Sequence, residues 1–259
     1  MKIVVLVKHV PEPTAVWSFA PDRTLDRGAV AGRLSELDEY AVEQAVRLVE
    51  GGLDAEVPYL TVGPAPARDG LLKALAIGGD RGVHVMDDAI HGSDALATSL
   101  VLAKALEHLG FDLVLTGMSS TDAEMSVVPS MVAERLDVNQ ATFAGALSVD
   151  GDTVSITRED DVATTEVSTL LPAVVSVTDQ TDEARYPAIR AIMLTKKKPV
   201  ETITLADIGV DPASVGLAAA ATRVVSVDPA PARTAGTVVV EDGTGAAQIA
   251  DFLAARGVL

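Results

Sequence analysis

Met1-Lys2-Ile3-Val4-Val5-Leu6-Val7-Lys8 opens the chain with an unbroken apolar run, Ile3 to Val7, held between two lysines. Such a run reads as a buried strand. It is too short for the apolar core of a secretory signal and far too short to cross a bilayer. Working outward, β-branched apolar runs recur at residues 56–61, 82–85, 113–116 and 173–178. Helical patterns at residues 35–50, 65–77, 93–109 and 125–136 separate them, each entered through a loop rich in Gly, Pro, Ser or Asp. Strands alternating with helices predict βαβ units, hence a doubly wound, mostly parallel α/β sheet covered on both faces. In the first helix Glu36, Glu39, Glu43, Arg47 and Glu50 share one stripe, while Leu37, Ala41, Val42, Ala45 and Leu48 turn inward. Ser35 with Asp38 supplies a capping pattern, and Glu43 with Arg47 a favourable pair at helical spacing.

Residues 142–149 and 153–158 flank Asp150-Gly151-Asp152, whose Asp-Gly provides the positive φ a tight turn needs. They predict an antiparallel hairpin inserted into the parallel pattern. After about Gly216 the composition shifts to Ala, Pro, Thr and Val, and Asp228-Pro229-Ala230-Pro231-Ala232 reads as a stiff extended segment. Ile249, Phe252 and Leu253 then fall at helical spacing near the end. The expected organisation is an α/β domain over residues 1–216 followed by an extended arm over 217–259, which needs a partner surface to lie on.

Composition narrows the function. The chain has 259 residues and 48% hydrophobic content, enough for one large domain with an arm. It has no cysteine, which excludes disulfides, iron–sulfur clusters and thiolate chemistry and fits a reducing cytoplasm. A formal net charge of −17 repels a polyphosphate backbone, so no nucleic-acid role is expected. Aromatic residues make up only 3%, leaving few rings to stack on a base or a flavin. No stretch approaches the roughly 18 apolar residues of a membrane helix, so a soluble protein without direct membrane insertion is expected.

In an open α/β sheet the ligand lies beyond the carboxyl ends of the strands, which points to the loops after Lys8, Val62 and Thr116. The first, His9-Val10-Pro11-Glu12-Pro13, is stiffened by two prolines. The second, Val62-Gly63-Pro64, has a glycine that lets the chain turn close past a ligand. The third, Thr116-Gly117-Met118-Ser119-Ser120-Thr121-Asp122, sets hydroxyls and a helix start around a natural phosphate site. The same residues equally read as helix caps, and both readings stand. His9, His84, His91 and His108 lack the paired spacing of a metal site and read as solvated or core residues. No dinucleotide fingerprint, Walker loop or Gly-x-Ser-x-Gly elbow occurs. Glu159-Asp160-Asp161 reads as a solvated hairpin end, and Lys196-Lys197-Lys198 as either an exposed element end or a contact for a phosphate or an acidic partner.

Leu170-Leu171-Pro172-Ala173-Val174-Val175-Ser176-Val177, then Arg185-Tyr186-Pro187, then Ile192-Met193-Leu194-Thr195-Lys196-Lys197-Lys198-Pro199-Val200-Glu201 resembles the signature of electron transfer flavoprotein beta subunits. The resemblance extends to Val7-Lys8-His9-Val10-Pro11, Ala41-Val42-Glu43-Gln44-Ala45-Val46-Arg47-Leu48, Lys73-Ala74-Leu75-Ala76-Ile77-Gly78-Gly79-Asp80 and Arg233-Thr234-Ala235-Gly236. It implies an adenine-nucleotide alpha-hydrolase-like sheet that holds a structural AMP and pairs with an alpha subunit bearing most contacts to FAD. The AMP would touch Leu6, Ser35, Asp38, Val62 and the loop carrying Gly117, Ser119, Ser120, Thr121, Asp122 and Ser126. Partner docking would use Arg185, Tyr186, Ile189, Lys196, Lys197 and Lys198, with Ile189 where the family anchors dehydrogenases through a leucine. Electrons would pass from acyl-CoA-type dehydrogenases through the partner-held FAD to a membrane quinone reductase, and the arm would contact the alpha subunit. The chain itself would be an electron-carrier subunit and not an enzyme.

Two departures stand out. Glu183-Ala184-Arg185 replaces the family's Glu-Pro-Arg, and Ala123-Glu124-Met125-Ser126 stands where relatives often carry glycines or amide and hydroxyl residues. The loop also lacks the Gly-Asp-Thr pattern of bifurcating relatives that hold a second FAD, so AMP is the expected nucleotide. A stand-alone adenine-nucleotide module resembling universal stress proteins would explain the loop, but not the docking segment, the lysine run or the arm. A nucleotide-alpha-hydrolase-type ligase needs a Ser-Gly-Gly-x-Asp-Ser loop, which is absent.

Overall fold

The apolar opening run forms the middle of a seven-stranded parallel sheet. A computed structural model describes residues 1–233 and 235–258; Thr234 of the Arg-Thr-Ala-Gly segment and Leu259 of the terminal helical pattern lie outside the described residues. In chain order the elements are β1 (Ile3–Leu6), β2 (His9–Pro11), β3 (Gly32–Leu34), α1 (Glu36–Glu50), β4 (Pro58–Val62), α2 (Ala67–Ile77) and β5 (Arg81–Val85). Next come α3 (Ala95–Leu109), β6 (Leu113–Gly117), α4 (Val128–Leu136), β7 (Asn139–Ala144), β8 (Ala146–Asp150), β9 (Thr153–Glu159) and β10 (Thr164–Leu170). The last are β11 (Ala173–Val177), α5 (Ile189–Thr195), β12 (Val200–Ile203), α6 (Gly216–Ala219) and α7 (Gly245–Ala255).

The large sheet runs β12-β5-β4-β1-β6-β11-β7, every pair parallel. From β1 the chain builds outward through β4 and β5, then returns to the other side of β1 with β6. That reversal opens a crevice at the carboxyl ends of β1 and β6, the usual ligand position in such sheets. Strand alternation splits the core in two. Ile3, Val5, Leu113, Leu115 and Val175 pack on one face with Val42, Leu71 and Leu75. Val4, Leu60, Val114 and Val174 pack on the other with Val101, Leu106 and Val132.

The structure revises several boundaries. The first strand ends at Leu6, not Lys8, because the Lys8 amide donates to the Asp38 carboxylate at 2.8 Å and leaves the ladder. The helix expected from residue 125 starts at Val128, since Glu124 (φ 48°) and Ser126 (φ 53°) adopt left-handed backbone that no helix continues. The run 142–149 belongs to two sheets: β7 pairs with β11 in the main sheet, and β8 pairs antiparallel with β9 across Gly151. A further strand, β10, pairs antiparallel with β9 and widens the predicted hairpin to three strands, and β12 extends the main sheet beside β5.

Two readings of the first helix also change. Ser35 is its N-cap residue, yet no side chain makes a capping bond. Glu43, expected on the solvated stripe, is only 1% exposed because Arg185 lies across it. By compactness the chain forms two units, Met1–Val225 and Ser226–Leu259. The first continues past residue 216, where the Asp94 carboxylate accepts from the amides of Ala221 and Thr222 at 2.9 and 3.0 Å. The second contains α7, with Ile249 and Phe252 exposed on it. Among the described residues no helix is long and apolar enough to cross a membrane.

Candidate functional site

A cavity of about 280 Å³ occupies the carboxyl end of the crevice between β1, β4 and β6. Small-molecule sites run from roughly 300 Å³ upward, so this cavity stands at the small end of that range. Of the residues named from the sequence, Leu6, Asp38, Val62, Gly117, Ser119, Ser120 and Ser126 line it. Ser35 sits at the start of α1, and Thr121 and Asp122 lie in the loop after Ser120. Leu6, Leu60, Val62, Leu102 and Pro129 supply apolar wall, the kind of surface a purine prefers.

The polar end of the cavity is cationic and hydroxylated. Lys8 Nζ donates to Asp122 Oδ1 at 2.8 Å and to Ser120 Oγ at 3.1 Å, and Arg27 Nη1 donates to Asp122 Oδ2. Burial alone would raise the Asp122 carboxyl, but the Lys8 and Arg27 charges outweigh it and hold the group below its ordinary value. Asp122 is therefore an anion balanced by two cations, and Lys8 and Arg27 both face the cavity. The hydroxyls of Ser35, Thr61, Ser119 and Thr121 are buried without a protein partner, and of these residues Ser119 lines the cavity. Orphaned hydroxyls are costly unless something accepts or donates to them; Ser119 and Thr121 sit on the loop after β6 named from the sequence, Ser35 precedes α1 and Thr61 lies within β4.

Asp38 has a different task. Its two carboxylate oxygens accept the backbone amides of Lys8 at 2.8 Å and Gly117 at 3.2 Å, tying α1 to the ends of β1 and β6. Burial pushes its pKa up to about 7 against the pull of those two amides. Gly117 is glycine for this contact: a Cβ there would lie 2.7 Å from Asp38 Oδ1 and from the Leu37 carbonyl. The close approach at this glycine is thus to the first turn of α1. Gly63, with φ +156°, would set a Cβ 3.1 Å from Ala67, and its carbonyl meets His84 Nε2 at 2.8 Å. His84 is accordingly a core histidine.

Sequence reasoning did not single out Lys8 and Arg27 as site residues, nor the start of α3 with Ser93, Asp94 and Thr98. Lys8 carried a signal, being the first charge after a buried strand at the rim. Arg27 carried none, for it arrives from the irregular excursion between β2 and β3.

The residues named for docking lie elsewhere. Tyr186 and Ile189 are 94% and 79% exposed, and Ile192, Met193 and Leu194 are exposed beside them on α5. Lys196 and Lys197 are exposed as well. Arg185 and Lys198 are engaged within the chain: the Arg185 guanidinium binds Glu43 and Glu50, and Lys198 Nζ donates to the carbonyls of Leu75, Gly78 and Gly79. The lysine run therefore divides into two solvated charges and one internal cap.

The Electron transfer flavoprotein domain family matches residues 22–208. Proteins named electron transfer flavoprotein subunit beta are similar along nearly the whole chain. The one from Mycobacterium leprae (strain TN) is 41% identical over 266 residues, covering 99% of each chain. That from Sus scrofa is 37% identical over 242 residues and 92% of each, and that from Megasphaera elsdenii 30% identical over 270 residues and 100% of each. With a crevice of this form at the sheet's carboxyl rim and likeness of this extent, the chain belongs to the beta subunits of the electron transfer flavoprotein family.

Proposed function

We propose that this chain is the nucleotide-holding half of a heterodimeric electron carrier. It keeps one AMP in the crevice and docks an alpha subunit that holds most of the FAD. Electrons then pass from acyl-CoA and related dehydrogenases to a membrane quinone reductase, with the carrier in the cytoplasm. FAD supplies the electron-accepting chemistry of the complex; AMP supplies none and completes the packing of the crevice. Lys8 and Arg27 would neutralise the phosphate, and Ser119, Thr121 and Ser35 would satisfy its oxygens and the ribose. Met1–Val225 would form the nucleotide domain, and Ser226–Leu259 an arm laid on the alpha subunit. Tyr186, Ile189 and the exposed lysines would present the docking surface for the dehydrogenase.

The observation that carries this reading is the meeting, in a chain of this family, of two cations, an apolar wall and the serine-bearing loop after β6 around one cavity. Mass spectrometry of nucleotides released from the co-purified heterodimer tests it. AMP and FAD in equal amounts are expected. Two FAD per heterodimer, or a lone chain that binds flavin tightly, would overturn the assignment.

A further inference from the structure

Helix α5 has little of its own to hold it. It spans seven residues, Ile189–Thr195, and its N-cap residue Ala188 makes no side-chain capping bond. Isolated helices shorter than about 12–15 residues are marginal in water, because nucleation is costly and few bonds repay it. Burial does not compensate: Ile189, Ile192, Met193 and Leu194 all face solvent, and Thr195 is the one buried residue of the helix. Yet both flanks are fastened to the α/β core.

Ahead of the helix, Arg185 Nε and Nη2 donate to the two Glu43 oxygens at 2.8 and 2.9 Å, and Nη1 and Nη2 donate to the two Glu50 oxygens at 2.6 and 2.8 Å. The Arg185 amide donates to Glu43 as well, at 3.2 Å, and Arg47 joins Asp182 to the same carboxylate. This double fork suits a planar guanidinium, and an ammonium could not reproduce it. Behind the helix, Lys198 Nζ donates to the carbonyls of Leu75, Gly78 and Gly79 at 2.7, 3.0 and 2.8 Å. Those carbonyls close α2, whose last turn has no basic residue of its own. Lys198 supplies the cation that this negative helix end favours.

We propose that Arg185 and Lys198 are positioning residues, a pair of clamps that hold residues 186–197 in docking form so that a dehydrogenase meets a preordered apolar helix. The inference rests on the docking reading given above and assigns to these two cations a role apart from contact with the partner. Without the clamps the segment frays, and each encounter bears the entropy of ordering it.

The test uses the co-purified heterodimer, reduced by a purified acyl-CoA dehydrogenase loaded with its thioester. Arg185→Gln and Lys198→Met should each raise the KM for that dehydrogenase about tenfold or more. The rate at saturation and the visible flavin spectrum should stay unchanged, while amide exchange over residues 186–197 accelerates. Arg185→Lys should not rescue. Ile189→Ala should raise KM without accelerating exchange. If Ile189→Ala raises KM but the clamp variants do not, the clamps serve stability alone and the inference is wrong. If Ile189→Ala changes neither KM nor rate, the docking reading itself fails. Should Arg185→Gln not fold because Glu43 is left buried with Arg47 alone, Glu50→Gln weakens half the fork at an exposed carboxylate and must raise KM and exchange in the same direction.

Discussion

Ser119→Ala separates a hydroxyl built for a ligand from one built for the fold. Ser119 lines the cavity, and its Oγ is buried without a protein partner. Its removal breaks no internal hydrogen bond, and an unmet buried polar group costs roughly 1–3 kcal/mol, so the nucleotide-free heterodimer should be as stable as before or slightly more so. A hydrogen bond to a charged group contributes about 1.5–3 kcal/mol, so AMP should bind roughly 10- to 150-fold more weakly. Thr121→Val, at a second orphaned hydroxyl, should behave alike. Ser120→Ala is the contrast, since Ser120 Oγ accepts from Lys8 Nζ at 3.1 Å and its loss should cost stability even without nucleotide. Urea denaturation of the stripped heterodimer and calorimetric titration with AMP measure the two quantities. If Ser119→Ala lowers stability and leaves AMP affinity unchanged, the hydroxyl packs for the fold and the account of the crevice is refuted.

Three further outcomes follow from the same rim. Glu124→Gly relieves a left-handed residue at φ 48° and should raise the urea midpoint by about 0.5–1 kcal/mol of stability; a lower midpoint would mean the Glu124 side chain is needed there. Gly117→Ala puts a Cβ 2.7 Å from the Leu37 backbone and should destabilise by about 1–3 kcal/mol in thermal melts, and an unchanged melt would contradict that packing. Asp38, raised from 3.8 to about 7 in the fold, binds its proton more tightly when folded than when unfolded. Its contribution to stability is therefore complete below about pH 4 and is lost as pH rises toward 7, with a slope of at most about 1.4 kcal/mol per pH unit. Asp38→Asn should remove that slope from stability measured between pH 4.5 and 7.5; an identical slope would show that the group does not titrate there.

The alternation of apolar runs and helices was enough to place β1, β4, β5, β6 and β11, because strands buried on both faces leave an unmistakable apolar run. Strand β12, only four residues long and just behind a lysine run, and β10, mostly polar, gave no such signal. Where elements end was less legible than where they lie, since the endings depend on remote partners: Lys8 leaves the ladder for a side chain 30 positions away. Glu43 was misread for the same reason. On an amphipathic helix it sits with the other acids, and nothing local announces that a guanidinium 142 positions later will cover it. Of the rim loops read from sheet geometry, the one after β6 lines the cavity, the second contributes Val62, and the first forms β2 instead; Arg27 came from a segment without periodicity.

The tie from Asp38 to the amides of Lys8 and Gly117 works as a wedge. It occupies two donors at the place where neighbouring strands part, so the gap between them is propped before any guest arrives. A preset opening of this kind lets a small anion enter without first prying the sheet apart. It also explains why an amide is a poor stand-in for the acid: one end of asparagine would turn N–H toward N–H, and the strands would lose half of what holds them at that spacing.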